Sequence, residues 1–157
     1  MDVLVILGSS SDLEVAKPCL DILKQFGIEN KLVVASAHRT PELVEKNIKE
    51  AESSGAKVII AMAGMAAHLP GVVASKTLIP VIGVPISSKN TGGIDALYSI
   101  VQMPSGYPVA TVAIDGARNA GLLALQIIAI TDKELSKALS SYREKMKSDI
   151  TKANEAL

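Results

Sequence analysis

The sequence predicts an α/β protein in which helices cover both faces of a parallel sheet. Five apolar runs alternate along the chain with segments of helical periodicity. The first run, Val3–Leu7, has no polar residue, which is typical of a strand buried on both faces. Five buried strands separated by helices favour one parallel sheet inside a three-layer α/β/α sandwich. With 157 residues, we expect one domain and the flavodoxin-like strand order 2-1-3-4-5.

Turn and capping residues divide the chain into these elements. The apolar runs predict strands at residues 3–7, 32–35, 58–63, 80–84 and 109–114. Helices are expected to begin at Asp12, Thr40, Met65, Ile94 and Ala117. The inward stripe of the first helix is Ala16, Cys19, Leu20, Leu23 and Phe26. We expect the third helix to extend to about residue 77 with an interruption at Pro70-Gly71, and residues 86–93 to form a mobile loop.

The C-terminal helix is the element that predicts assembly. Asp132 can cap it, and its apolar positions recur by fours and threes at Leu135, Leu139, Tyr142, Met146, Ile150, Ala153 and Leu157. Such a helix is about 35 Å long, roughly the width of the domain, so its stripe extends past the domain edge. The alternative is a helix folded back over one sheet face. We favour oligomerisation: we expect residues 1–131 to form the α/β domain that contains any functional site, and 132–157 a helix of the same domain that packs on neighbouring subunits.

Composition excludes several classes of protein. Sixteen basic residues balance sixteen acidic ones and aromatic residues are 3%, which argues against a nucleic-acid partner. The single cysteine, Cys19, excludes an intrachain disulfide framework and a cysteine-based zinc site. No apolar stretch has the length of a membrane span, and the start Met1-Asp2 shows no signal peptide. We therefore expect a cytoplasmic protein.

Charge is unevenly distributed along the chain. Residues 56–116 contain five charged side chains, whereas the last 26 residues contain eleven. The middle of the chain is too apolar for an ordinary surface, so we expect it to form core, a buried pocket or a subunit interface.

Polar clusters follow four of the predicted strands. They are Gly8-Ser9-Ser10-Ser11-Asp12, Ser36-Ala37-His38-Arg39-Thr40-Pro41, residues 63–70 with His68, and the pair Ser87 and Ser88. Because ligands bind at the carboxyl ends of parallel strands, we expect these clusters to meet at one rim.

The serine cluster suits a phosphate group. Its hydroxyls and free N–H groups open a helix, where anions are favoured, and Asp12 can either cap that helix or accept hydrogen bonds from sugar hydroxyls. A serine-rich cap without a ligand explains this motif equally well. The cluster is neither a dinucleotide fingerprint nor a Walker loop, so neither class of nucleotide is supported.

His38 and Arg39 indicate a function more specifically than the serine cluster does. Arg39 offers a bidentate guanidinium to a phosphate or carboxylate, and an imidazole, with an unperturbed pKa of about 6.5, can exchange a proton. The alternative is Arg39 in a surface ion pair and His38 as a rim residue. His68 by itself is more often structural, and two histidines without a third ligand make a metal site weak. The residues thus predict a metal-free protein that binds a small phosphorylated, ribosylated molecule and transfers a proton with His38.

Six motifs in order along the chain resemble one family. They are Gly8-Ser9-Ser10-Ser11-Asp12, Ser36-Ala37-His38-Arg39-Thr40-Pro41, Ala66-Ala67-His68-Leu69-Pro70-Gly71, Pro80-Val81-Ile82-Gly83-Val84-Pro85, Ser99-Ile100-Val101-Gln102-Met103-Pro104-Ser105-Gly106 and Asn119-Ala120-Gly121-Leu122-Leu123. The family is the PurE family of N(5)-carboxyaminoimidazole ribonucleotide mutases, also called the catalytic subunit of phosphoribosylaminoimidazole carboxylase. The resemblance implies an isomerase of purine biosynthesis, assembled as an octamer with active sites at subunit interfaces.

The resemblance also implies roles for residues. Ser9, Ser11, Ser36 and Arg39 would hold the phosphate, Asp12 the ribose hydroxyls, and His38 would face the aminoimidazole ring. Backbone groups of Ala63, Gly64, Ala66 and Ala67 would lie near the carboxylate, with His68 in support. His38 would protonate the substrate carbamate to release carbon dioxide, and would later remove the ring proton after recarboxylation. No cofactor or metal is implied.

The chain departs from the family pattern at three places. Leu13 stands where Trp is common, Met65 where Gly is usual, and residues 114–119 are shorter than the family's usual Gly-rich stretch. A second branch of the family carboxylates aminoimidazole ribonucleotide directly with carbon dioxide, as a lyase. The Ala67-His68-Leu69-Pro70-Gly71 segment resembles the mutase branch, and direct carboxylation is the alternative.

Overall fold

The fold is a five-stranded parallel sheet between two helical layers. The computed structural model describes residues 1–155, so the predicted stripe position Leu157 lies outside the described residues. The strands are β1 (Val3–Leu7), β2 (Asn30–Val34), β3 (Val58–Gly64), β4 (Val81–Ile86) and β5 (Ala110–Thr111). The helices are α1 (Leu13–Gln25), α2 (Pro41–Ser53), α3 (Leu69–Ala74), α4 (Ile94–Val101), α5 (Ala117–Ala129) and α6 (Lys133–Glu155). The strand order β2-β1-β3-β4-β5 confirms the predicted order.

Two apolar cores lie on opposite faces of the sheet. Alternate residues of β1 divide between them, because Val3, Val5 and Leu7 pack against α1 and α5 while Leu4 and Ile6 pack against α2 and α3. This alternation explains the wholly apolar sequence of the strand, since both of its faces exclude water. None of the helices within residues 1–155 combines the length and apolar character that a membrane span requires.

The strand register aligns the polar clusters. Leu7, the last residue of β1, pairs with Val34 of β2 and Met62 of β3. Gly64 at the end of β3 pairs with Ile86 at the end of β4. The loops that follow these strands therefore start at nearly the same level, which is what brings the predicted clusters to one rim.

The edge strands differ from the prediction of five buried strands. β2 is half-buried along its length and Val34 is 41% exposed, because an edge strand has a neighbour on one side only. β5 has two residues instead of the predicted 109–114. After Val112, whose N–H still donates to Gly83 O, the chain turns away, and the positive φ of Asp115 directs it into α5.

Three helix details also differ from the prediction. α3 spans 69–74 instead of 65–77, and Met65, at the predicted start, has a φ of +56° that no right-handed helix contains. Pro70 does not interrupt α3, since it lies in the first turn, where a missing N–H costs nothing. In α1, Ile22 is fully buried, whereas Leu20 and Phe26, the residue after the helix, are half-buried at the layer edge.

α6 packs on its own domain over its first turns and then extends beyond it. The Asp132 carboxylate accepts a hydrogen bond from Leu135 N at 2.9 Å, as predicted for the cap. Leu135 and Leu139 are buried, but Met146 and Ile150 are 51% and 67% exposed. The second half of the apolar stripe is therefore uncovered in a single chain.

Candidate functional site

A cavity of about 600 Å³ lies at the carboxyl ends of β1–β4. Every predicted site residue except Ala67 lines it: Ser9, Ser11, Asp12, Ser36, His38, Arg39, Ala63, Gly64, Ala66 and His68. Ala67 is 1% exposed and packs in the core beside α3. The rim serines Ser87 and Ser88 line the cavity as well. Segments far apart in sequence thus form one concave surface, as the parallel topology predicts.

The serine turn after β1 is ordered by its own side chains. Residues Ser10–Asp12 form a 3-10 turn whose cap is Ser9, and Ser9 Oγ accepts from Ser11 N at 3.3 Å. The Ser11 hydroxyl lies 2.8 Å from Ser9 Oγ and 3.1 Å from Asp12 Oδ1, so its one proton bonds one of them at a time. The turn therefore presents a compact group of hydroxyls that an anion can engage.

The sequence suggested Asp12 as a cap of α1, but its side chain does not cap that helix. It occupies the cap position with helical dihedrals and makes no side-chain bond to the helix, because Ser9 and the 3-10 turn already open it. Its carboxylate is half-buried at the cavity wall, and burial raises the pKa of Asp12, while the Ser11 hydroxyl, the Ser9 backbone and the Arg39 charge act in the opposite direction. This leaves Asp12 available to a ligand hydroxyl.

The turn after β2 is closed by Thr40. Thr40 Oγ1 accepts from Ser36 N at 2.9 Å and lies 3.3 Å from Ser36 O. The Thr40 hydroxyl was expected to cap α2, but it makes no hydrogen bond to that helix. Within the turn, Arg39 N donates to Ser36 Oγ at 3.3 Å. The Arg39 guanidinium donates to Gly8 O at 3.0 Å, which brings its positive charge to the end of β1 beside the serine turn.

The two histidines are in contact. His38 Nε2 lies 2.6 Å from His68 Nδ1, and the rings meet edge to face with centroids 4.8 Å apart. Both rings are exposed to the cavity rather than embedded in the core. His68 therefore contacts His38 directly, which the sequence itself did not indicate because 30 residues separate them.

Met65 and Ile86 line the cavity without having been predicted as site residues. Met65 is 65% exposed and adopts a left-handed conformation, with φ of +56°, at a position where a glycine would be unstrained. Ile86 is the buried last residue of β4. Met65 lies inside the predicted cluster 63–70 and Ile86 directly precedes Ser87, but the apolar character of both side chains gave no sign of a role.

The cavity combines three chemical capacities. Hydroxyl groups with one guanidinium suit a phosphate, a half-buried carboxylate suits a sugar hydroxyl, and an imidazole pair suits proton transfer. Within residues 1–155, no three His, Cys, Asp or Glu side chains come together as a metal site.

Comparisons with known proteins agree over nearly the whole chain. A family model described as AIR carboxylase matches residues 2–149. A protein of Saccharolobus solfataricus named N5-carboxyaminoimidazole ribonucleotide mutase is 57% identical over 94% of this chain and 94% of its own. A protein of that name from Methanocaldococcus jannaschii is 56% identical over 96% of this chain and 94% of its own. The crystal structure of Treponema denticola PurE is 36% identical and matches with a TM-score of 0.91, covering 99% of this chain and 97% of that one.

Proposed function

The chain belongs to the AIR carboxylase family, and from that membership we infer that it is an isomerase of purine biosynthesis, an N5-carboxyaminoimidazole ribonucleotide mutase. The reaction moves a carboxyl group from the exocyclic nitrogen to the ring carbon and yields 4-carboxy-5-aminoimidazole ribonucleotide. The relatives at 57% and 56% identity carry the mutase name, which favours this reaction over direct carboxylation. The observation that carries the proposal is the single cavity shared by the serine turn, Arg39 and the histidine pair.

In this proposal the polar walls bind the ribonucleotide. Ser9, Ser11, Ser36 and Arg39 hold the phosphate, which the hydroxyl cluster and the Arg39 charge at the end of β1 support. Asp12 accepts hydrogen bonds from the ribose hydroxyls. The backbone groups of Ala63, Gly64 and Ala66 lie near the migrating carboxylate. We assign Ala67 no direct contact, because its side chain packs in the core.

His38 acts as the acid and then as the base. It donates a proton to the exocyclic nitrogen of the carbamate, and the N–C bond breaks to release carbon dioxide and aminoimidazole ribonucleotide. The nucleophilic ring carbon then attacks carbon dioxide to form a C–C bond. His38, now neutral, removes the proton from that carbon, and the ring regains its aromaticity. One proton is given and one is taken back, so no cofactor takes part.

The apolar part of the cavity would retain the carbon dioxide. Ala63, Ala66, Leu69 and Ile86 line it and offer no group that hydrates or traps the gas. They belong to the charge-poor middle of the chain, which gives that composition a functional reason. A wall of this kind also keeps bulk water from the carbanion-like ring carbon.

The mutase and carboxylase reactions are separable with labelled substrate. The carbamate, labelled with carbon-13 at its carboxyl group, is supplied in buffer free of bicarbonate. A mutase turns over and retains the label in the product, whereas a carboxylase that depends on added carbon dioxide shows little turnover. In a second experiment, unlabelled bicarbonate is added and the carbon-13 content of the product is measured again. Extensive dilution of the label in the product would contradict a trapped intermediate.

The proposal includes a cytoplasmic homo-octamer with sites at subunit interfaces. The exposed half of the α6 stripe, Met146 and Ile150, supports an intersubunit role for this helix. Sedimentation at micromolar concentration tests it. Ile150→Glu should shift the protein to smaller species, whereas Ser148→Glu, about 200° around the same helix, should not. A wild-type monomer under these conditions would contradict the proposal.

A further inference from the structure

The loop after β4 forms one wall of the cavity and is anchored by a residue outside that cavity. Ser87 and Ser88 line the cavity directly after Ile86, and the loop continues to Gly93, the residue before α4. Ser87 is exposed, so burial of its own side chain does not hold it in place. The position of this wall therefore depends on hydrogen bonds from neighbouring segments.

Asp115 supplies two of these bonds from the segment between β5 and α5. Its backbone N–H donates to Pro85 O at 2.8 Å. Its Oδ1 accepts from Ser87 N at 2.9 Å. The two bonds bracket Ile86, the cavity residue between them. One residue thus fixes both the end of the strand and the start of the loop.

The backbone of Asp115 is in an uncommon conformation. Its φ is +55°, in the left-handed region that L residues rarely adopt, although Asp and Asn enter it more readily than most. Within residues 1–155, Met65 and Asp115 are the non-glycine residues with positive φ. Met65 lines the cavity, and Asp115 bonds to its wall. Such strain persists where surrounding contacts impose it, and it clusters at functional sites.

The far end of the loop returns to the same place. A Cβ atom at Gly93 would lie 2.8 Å from Ile114 Cγ2 and 3.0 Å from Ser87 Cα. Inside the loop, the Ser88 and Thr91 hydroxyls are 2.9 Å apart, and the Thr91 hydroxyl donates to Asp95 Oδ1 at 2.6 Å. The loop therefore closes on itself, and Asp115 connects this closed unit to the sheet.

We propose that Asp115 is a positioning residue that holds the Ser87–Ser88 wall against the bound ribonucleotide. It acts through the Ser87 amide and does not touch the substrate. The inference rests on the proposed function, because it assigns that wall to substrate binding. A wall that contacts the ligand equally in the ground state and the transition state affects KM more than kcat.

Two variants of Asp115 separate the side chain from the backbone conformation, and a third variant is a control. Asp115→Gly keeps the positive φ without strain but removes the acceptor, and it should raise KM about three- to tenfold with kcat changed less than about twofold. Asp115→Asn keeps both an acceptor and tolerance of this φ, and should restore the wild-type KM. The matched control is Asp2→Gly. Asp2 Oδ2 also accepts from a distant backbone amide, Glu29 N at 3.3 Å. This contact lies at the amino ends of β1 and β2, away from the cavity at the carboxyl ends, so the control should leave KM unchanged.

Hydrogen exchange at the Ser87 amide supplies a readout that needs no turnover. We expect slow exchange in the wild type, exchange at least about tenfold faster in Asp115→Gly, and slow exchange in Asp115→Asn. Rapid exchange in the wild type, even if the glycine variant fails to fold, overturns the proposal. So does an unchanged KM in Asp115→Gly, or an equal rise in both Asp115 variants. Absence of wild-type turnover on the carbamate would instead overturn the proposed function, and the exchange measurement would still test Asp115.

Discussion

His38 Nε2 and His68 Nδ1 share one hydrogen bond of 2.6 Å. Only one of the two facing nitrogens carries a proton, because two N–H groups at this distance would repel each other. The bond restrains the orientation of the His38 ring, since it fixes the edge of the ring that carries Nε2 against His68.

Replacement of His38 tests the proton-transfer role. His38→Asn should lower turnover by about two to four orders of magnitude, because an amide does not replace a general acid and base. Binding of aminoimidazole ribonucleotide, measured by calorimetry, should persist, since the phosphate and ribose contacts lie elsewhere in the cavity. Near-normal turnover in this variant would exclude His38 from the mechanism.

Replacement of His68 tests the support it gives to His38. His68→Ala should lower kcat about tenfold or more with little change in KM, because the His38 ring loses the partner that orients it. His68→Asn places an amide oxygen near the former Nδ1 position and should recover part of that loss. Steady-state kinetics on both variants make the comparison. Equal kcat in the wild type and His68→Ala would show that the contact has no catalytic effect.

Replacement of Arg39 tests the phosphate site. Arg39→Ala should weaken ribonucleotide binding about ten- to a hundredfold, because it removes charge-assisted hydrogen bonds. The affinity of Arg39→Lys for the ribonucleotide should lie between those of the wild type and Arg39→Ala, because lysine keeps the charge but not the planar guanidinium. The matched ligand control is the nucleoside without its phosphate, whose weaker affinity should not change between these variants. An equal loss for both ligands would indicate general disruption of the site instead.

The raised pKa of Asp12 predicts how the free energy of unfolding depends on pH. Burial raises the pKa of Asp12, so the folded state favours its protonated form. Its stabilising contribution is complete below the unfolded pKa of about 3.9 and is lost as pH rises through the folded value. Relative to the wild type, Asp12→Asn should therefore gain stability as the pH increases from about 3 to about 7. Urea unfolding at several pH values measures this difference, and a trend in the opposite direction would refute the assigned direction of the pKa shift.

Gly121 is the close contact between α1 and α5. A Cβ there would lie 2.5 Å from Ile22 Cγ2 and 3.2 Å from the Cys19 carbonyl oxygen. Overpacking in Gly121→Ala should cost about 1–3 kcal/mol, which over most of that range exceeds the roughly 1 kcal/mol that alanine gains in a helix. Gly71→Ala in α3 is the control, because its Cβ would meet the flexible end of Met103. Chemical unfolding should show a loss for the first variant and none for the second.

The sequence predicted the strands and helices well where local pattern decides them. Val3–Leu7 was predicted with its observed bounds, because an unbroken apolar run is the direct consequence of burial on both faces. The prediction was poorer for β5 and α3, and the segments beside them contain Asp115 and Met65, which adopt positive φ. Neither conformation follows from residue type, since both side chains usually adopt negative φ.

The polar clusters and their convergence at one rim were determined by the sequence, because the carboxyl ends of parallel strands meet at one edge whatever the helices do. Which atoms touch was decided by the tertiary structure. The contact of His38 with His68 spans 30 residues, and that of Ser87 with Asp115 spans 28. Both depend on strand register and on the turns between elements, which set positions to within an ångström. Hydrophobic periodicity defines which face of an element is buried, but it contains no information at that scale.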